Sequence, residues 1–492
     1  MRFDKSRLLL HACVCTVLAI CSIDCLAQTQ TKLVTSPPPE SEIGTVRFIS
    51  FTEASGAIRA ISADLPEELV QVVAAGDSAE WDRYVRGRDA QTRDRLHAGA
   101  LDTLANLLLF GTSYTSAAPL TPELLKQINA SSAKNPAGDL GSQSLLRRID
   151  ELALALAHPA GNERLEYFHQ LLHQQHYRFE TSDEIFKVKQ FLGLNLIRML
   201  HEDISYAAAL SEAQRLTNNG LEKRSQVFAQ RGISLDTSLF PSFAIEEALA
   251  QAKRNGLLPN HLSKVAVIGP GLDVLNKDQG WDFYPEQTTQ PLLILDSLVR
   301  LGLADARTIQ ITTLDISDLV NQHILSARAR ARKHATYTVQ LPLRSDIPWD
   351  PGTIRYWQRA GTAIGRTVPP IRGAKTANLK YKAVRFPPAD VLRMHPTDLD
   401  VVYQRQIIPD SEKFDLVVAT NVFVYYGAFE QALAMANLSS MLRRNGLLFT
   451  NDTLPEQAGL PLRHIGFSET AYSPRPHDGD RVIFYAQAPQ NR

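Results

Sequence analysis

Past residue 25 the chain has no cysteine: Cys13, Cys15, Cys21 and Cys25 are its only four in 492 residues. If that leading segment is removed, a disulfide framework, a cysteine nucleophile and thiolate metal ligation are excluded together, and no metal is expected. An excess of one charge is also missing, because 52 acids balance 52 bases. The net charge therefore points to neither nucleic acid nor membrane as a partner of the whole molecule. No segment repeats at a fixed period, which excludes a solenoid. Nor is there a long apolar run at the start, where LLLHACVCTVLAICSI, residues 8–23, falls short of the roughly 20 residues a membrane span needs and is interrupted by His11.

That short run does have a recognisable layout. Arg2, Lys5 and Arg7 precede it, and Cys25 and Ala27 stand at the −3 and −1 positions of a cut after Ala27. This is the arrangement of a secretory signal peptide over residues 1–27, and it predicts an exported protein, periplasmic or secreted. The alternative is an uncleaved N-terminal anchor, the one route by which a membrane enters. Asp24 before Cys25 speaks against a lipoprotein. Residues 28–44, QTQTKLVTSPPPESEIG, are polar and proline-rich and read as a linker. Three sequons begin at Asn129, Asn437 and Asn451; they matter only if the source glycosylates.

From 45 to 260 apolar residues recur at three- and four-residue spacing, as in SLLRRIDELALALAH and FAIEEALAQAKRNG, which predicts a helical domain. Its WDRYVRGRD and LLLFGTSYT stretches carry aromatics read as core. At Lys264 the texture changes. KVAVIG (264–269), TIQITTLD (308–315), FDLVVATN (414–421) and LLFTND (447–452) read as strands, and PLLILDSLVRLGL (291–303) and FEQALAMANLSSMLRRNG (429–446) as helices between them. Such alternation implies a parallel α/β sheet with helices on both faces. LRHIGFSETAYS and DRVIFYAQA, separated by PRPHDGD, read as a closing antiparallel pair.

In a sheet of this kind ligands sit beyond the carboxyl ends of the strands. The first strand ends in VAVIGPGLD, where Gly269 and Gly271 let a ligand approach the backbone. A dinucleotide would need a third glycine at position 274, which is Val274, and a helix starting sooner than Thr289. A smaller nucleoside with a cationic centre fits better: Asp273 is placed to face a positive group, and Asp315 closes the second strand where a ribose diol would lie.

This order of parts over residues 262–488 resembles the class I S-adenosylmethionine-dependent methyltransferases. The resemblance implies a Rossmann-like seven-stranded methyltransferase-type sheet with an antiparallel last strand, spanning 261–492 and preceded by an all-α N-terminal domain. It implies S-adenosylmethionine as cofactor, with Gly269, Gly271 and Asp273 in the binding turn and Asp315 on the ribose. Asp390, in FPPADVL, matches the acid expected after strand three beside the adenine amino group, and Asn421 the end of strand four, where the family lines the methyl-transfer site. Asn421, Tyr425 and Tyr426 are the catalytic candidates; His395 is a further base to test. The Asn-or-Asp, Pro-Pro, aromatic signature of amide-methylating members is absent, TNVFVYY standing in its place.

FDLVVATNVFVYY and SSMLRRNGLLF also look like parts of the chemotaxis-receptor glutamate methyltransferases, which share a long insertion between strands two and three. The first motif departs from that family's, and its substrate lies in the cytoplasm, so that substrate is not carried over. The insertion here, 328–385, holds thirteen bases against two acids with Trp349, Tyr356 and Trp357 among them. Such a patch would attract an anionic acceptor, although a solvated cationic loop balanced by acids of the helical domain is the reading the sequence favours. Two functions fit this pattern: methyl transfer to an unidentified acceptor, or an exported, catalytically inactive binding scaffold of the cell envelope. For the scaffold the glycine turn should be occluded by the Trp281–Tyr284 loop, with Asp315 turned away.

Overall fold

The computed structural model describes residues 44–120, 140–215, 232–275, 281–371, 378–476 and 478–488. The signal segment, almost all of the linker, the four cysteines, Asn129, Arg372 and Lys375 lie outside them.

Seven strands form the central sheet: β2 (Lys264–Ile268), β3 (Gln310–Asp315), β7 (Met394–Asp398), β9 (Phe414–Ala419), β10 (Leu442–Thr450), β11 (Leu462–Ala471) and β12 (Gly479–Gln487). Their order across the sheet is β11-β12-β10-β9-β2-β3-β7. β2, β3, β7, β9 and β10 run parallel, and β12 enters antiparallel between β10 and β11. This is the Rossmann-like methyltransferase-type sheet with its last strand reversed. The central strands are buried on both faces, as parallel sheets are. Val265, Val267, Ile311, Leu416 and Val418 pack on one side, and Ala266, Ile268, Leu314, Val417 and Ala419 on the other, the period of two that a pleated strand imposes.

The N-terminal helices supply both cores. α3 (Ser78–Phe110) is a 33-residue helix capped by Asp77, whose side chain accepts from Ala79 and Glu80 N–H. Its second half joins α4 (Leu140–Ala157), α5 (Glu163–Gln174) and α6 (Ser182–Arg215) over the Val265 side of the sheet. α1 (Phe51–Ala60) and the start of α3 join α12 (Ala428–Met441) over the Ala266 side, with Trp81 fully buried and its indole N–H on Ile49 O at 2.8 Å. The change of texture at Lys264 is thus a change of secondary structure rather than of core. The stretch also opens on a strand, β1 (Thr45–Phe48), which pairs antiparallel with β8 (Gln404–Ile407).

Three sequence expectations are corrected. The helix expected to run to residue 446 stops at Met441, because Leu442 pairs with Phe414 and Arg443 reaches Asp415 and Ser411 O. The insertion begins later than residue 328: Arg328, Arg330 and Arg332 belong to α9 (Asp318–Arg332), and buried Arg328 donates to Leu392 O and Met394 O. After this helix the chain forms an antiparallel sheet of β4 (Tyr337–Arg344), β5 (Arg366–Val368) and β6 (Leu379–Phe386), ordered β4-β6-β5 and backed by α10 (Pro351–Arg359). The Asn437 side chain is fully buried, donating to Val401 O and Val402 O and accepting from Arg405, so it is no glycan acceptor.

Candidate active site

β2 ends at Ile268, and the chain turns through Gly269 (φ 59°) and Gly271 (φ 68°), both in the left-handed region where a side chain is strained. A Cβ on Gly271 would also stand 2.9 Å from Leu235 O. Asp315 is the last residue of β3, and Asp398 the last of β7, paired with it in register. Two residues on, Asp400 is fully buried. Gly269, Gly271, Asp315 and Asp400 line one cavity of about 130 Å³ at the carboxyl edge of the sheet, together with Asn421, Tyr425 and Tyr426.

Its electrostatics are set by desolvation. Burial pushes the Asp315 carboxyl up to about 7, against the Ser317 N–H at 2.8 Å and a Gly271 backbone bond that both favour the charged form. Burial likewise raises Asp400 to about 7. One Asp400 oxygen accepts from Val402 N–H at 2.9 Å, and the other has no hydrogen-bond partner. A buried carboxylate oxygen without a donor costs free energy, and an N–H placed in the cavity would satisfy it.

α3 braces this edge. Arg93 donates to Asp398 at 2.8 Å and to Ile316 O at 3.0 Å, tying the ends of β7 and β3. Arg95 donates to Tyr425 O, and Arg88 reaches Glu430 at the start of α12. Buried Arg164 of α5 holds the loop after the glycines through Val274 O and Tyr284 O. Asp282 accepts from Thr112 and Ser113, which gives LLLFGTSYT a role beyond its aromatics. Sequence reading missed all of these, since the partners lie far along the chain.

A strap, residues 232–238, crosses the glycine turn with Leu235 O accepting from Leu272 N–H at 2.9 Å. The strap, not the Trp281–Tyr284 loop, covers Gly271, and Asp315 lines the cavity rather than turning away. Beyond it lies a second cavity of about 500 Å³, sharing Thr237, Ser238, Pro241 and Asn421 with the first. Asp273 lines this second cavity, where it accepts from Tyr284 OH at 2.8 Å and Gln287 Nε2 at 3.1 Å.

Asn421 stands between the two at φ 58°, a conformation asparagine tolerates. It is locked by Asn451: its N–H donates to Asn451 Oδ1 at 2.7 Å, and its Oδ1 accepts from Asn451 Nδ2 at 2.8 Å. Tyr426 is buried, and burial holds its phenol well above its ordinary value, so it is a packing group rather than a base at neutral pH. Tyr425 OH accepts from Ser234 N–H of the strap. His395 sits in mid-β7 opposite Thr312, outside both linings.

Asp390 is corrected. It lies in a short helical turn, Pro388–Val391, before β7 and not after it, and so at the amino edge of the sheet beside Arg393. The acid that comes after strand three and enters the cavity is Asp400.

No family model and no curated protein matches the chain. Among solved structures it is similar to the glycopeptide N-methyltransferase MtfA complexed with S-adenosyl-L-methionine, at 10% identity over 52% of this chain and 81% of that one, TM-score 0.20. It is also similar to the CurJ carbon methyltransferase, at 12% identity over 89% and 99%, TM-score 0.24.

Proposed function

We propose that the chain is a methyltransferase-like protein that binds S-adenosylmethionine in the first cavity. The observation that carries this reading is the convergence of the glycine turn, Asp315 and the half-satisfied Asp400 on one cavity at the carboxyl edge of the sheet. Asp315 would accept from two ribose hydroxyls, and the open oxygen of Asp400 from an adenine amino group. Bound there, the cofactor supplies an electrophilic methyl on a sulfonium. The chain's part is positioning, with Asn421 at the junction of donor and acceptor cavities. The signal-peptide layout supports export, which separates the site from cytoplasmic cofactor unless an uncleaved anchor leaves the domain inside.

One observation favours the second reading, an inactive binding scaffold. With the strap in place the first cavity is about 130 Å³, below the roughly 300 Å³ at which small-molecule pockets begin. Calorimetric titration of S-adenosylhomocysteine into the full chain separates the two. Under the cofactor reading it binds at micromolar concentration and Asp315→Ala loses the binding; absence of binding to folded protein leaves the scaffold.

A further inference from the structure

The inserted sheet carries positive charge that neither cavity uses. From Pro351 to Ala389 the chain has no acid, so the bases there must find partners elsewhere. Arg359 meets Glu246 of the helix Phe240–Arg254, and Lys382 donates to Gln358 O and Ala360 O, both at 2.9 Å, beside the Trp357 ring of α10. Arg366 and Arg385 differ. Arg366 of β5 is paired in register with Arg385 of β6, and Arg385 on its other side with Thr338 of β4. Partners in antiparallel strands hold their side chains next to each other on one face, about 5 Å apart. The row Thr338–Arg385–Arg366 thus sets a hydroxyl and two guanidinium groups together, on the face of β6 opposite Lys382 and α10. Farther along, that face is covered, by Phe283 against Tyr381 and by Ile371 N–H donating to Gln340 Oε1 at 3.2 Å. Like charges directly opposite destabilise a sheet. Charge on an edge strand guards against aggregation, which accounts for exposed Arg366 on β5, the edge of the order β4-β6-β5. It does not account for Arg385, which is half-buried in the middle strand with its Nε–H shut off from solvent and without a hydrogen-bond partner. Neither arginine meets a carboxylate among the described residues.

We infer that the Thr338–Arg385–Arg366 row binds a phosphate group, free or carried on a lipid head. A buried donor left unpaired costs free energy that an acceptor recovers, and two planar forks beside a hydroxyl match the several oxygens of a phosphate. The row lines neither cavity, so this site stands or falls apart from the cofactor reading.

The test uses two probes on the full chain: inorganic phosphate, titrated calorimetrically, and phosphatidylcholine vesicles containing phosphatidic acid, followed by co-sedimentation. Phosphate at millimolar concentration should bind and raise the melting temperature. Arg366→Gln, at an exposed position where folding is not at stake, should weaken that binding about tenfold, the loss of one two-pronged charge-assisted contact. Arg385→Gln should do the same, and Arg385→Lys, which keeps the charge but not the fork, should lose about fivefold. Lys380→Gln removes an equal charge from the opposite face of β6 and should change binding less than about twofold. Vesicle binding that Arg366→Gln abolishes identifies a lipid head as the source of the phosphate; phosphate binding without vesicle binding identifies a free one. No binding of either probe, binding unaffected by Arg366→Gln, or an equal loss in Lys380→Gln, the sign of a diffuse positive field, overturns the inference.

Discussion

The two cavities share a wall at Asn421 but are made in different ways. The first is built from strand ends: the turn after β2, the last residue of β3, the second residue past β7. Its position is set by the topology of the sheet, since crossovers leave a crevice there. The second is built from connections: the strap, the loop before residue 290, the edge of β4 and the turn between β11 and β12. A sheet dictates the first kind of site and merely permits the second.

Breaking the strap between them should have the largest effect. In Gly271→Ala the new Cβ meets Leu235 O at 2.9 Å and the residue keeps a left-handed φ. Strain and overpacking together should cost about 3 kcal/mol, read as a lower melting temperature, and proteolysis should then cut within 232–238 sooner than in the parent. An unchanged melting temperature would mean that the strap does not rest on the turn.

The comparison sharpens with Asp400→Asn beside Asp390→Asn. The first should weaken S-adenosylhomocysteine binding about tenfold, the loss of a charge-assisted hydrogen bond in a buried site. The second, at the amino edge of the sheet, should change it less than about twofold. The reverse ranking would restore the sequence-based assignment of Asp390.

Stability should also change with pH. Asp315 and Asp400 have folded pKa values raised to about 7 by burial, and Glu286 is raised likewise. Unfolded, these groups titrate near 4. Between about pH 4 and 7 the folded state therefore holds protons that the unfolded state has released, so stability is full below this window and is lost as pH rises through it. His323, lowered to about 4 by burial, opposes this by one group. Melting at pH 5 should exceed melting at pH 8, and Asp315→Asn with Asp400→Asn should flatten the difference. A flat parent profile would place these carboxyls in contact with solvent.

Much of the sheet is legible in the sequence because its strands announce themselves by composition. VAVI, ITTLD and FDLVVA are continuous apolar or β-branched runs bounded by turns. Gly269, Gly271, Asp315 and Asn421 lie on the first cavity because a turn or a strand end fixes where they go. Asp390 misled because the resemblance placed it after a third strand that no stretch of residues marks; the strand before it, β6, belongs to the inserted sheet. Asp400 was overlooked because β7, MHPTD, is too short and polar to read as a strand. The bracing arginines had no local signal at all, since Arg93 meets Asp398 across 305 residues of sequence.

That distance bears on how the molecule comes into being. α3 is synthesised early and packs on its neighbouring helices, yet Arg93 waits 305 residues for Asp398 and Glu53 waits 352 for Arg405. Contacts so remote in sequence close large loops before they yield any stabilisation, which slows folding and leaves greasy helices uncovered meanwhile. A chain closed by contacts this remote keeps much of its apolar surface uncovered until its last third has been made.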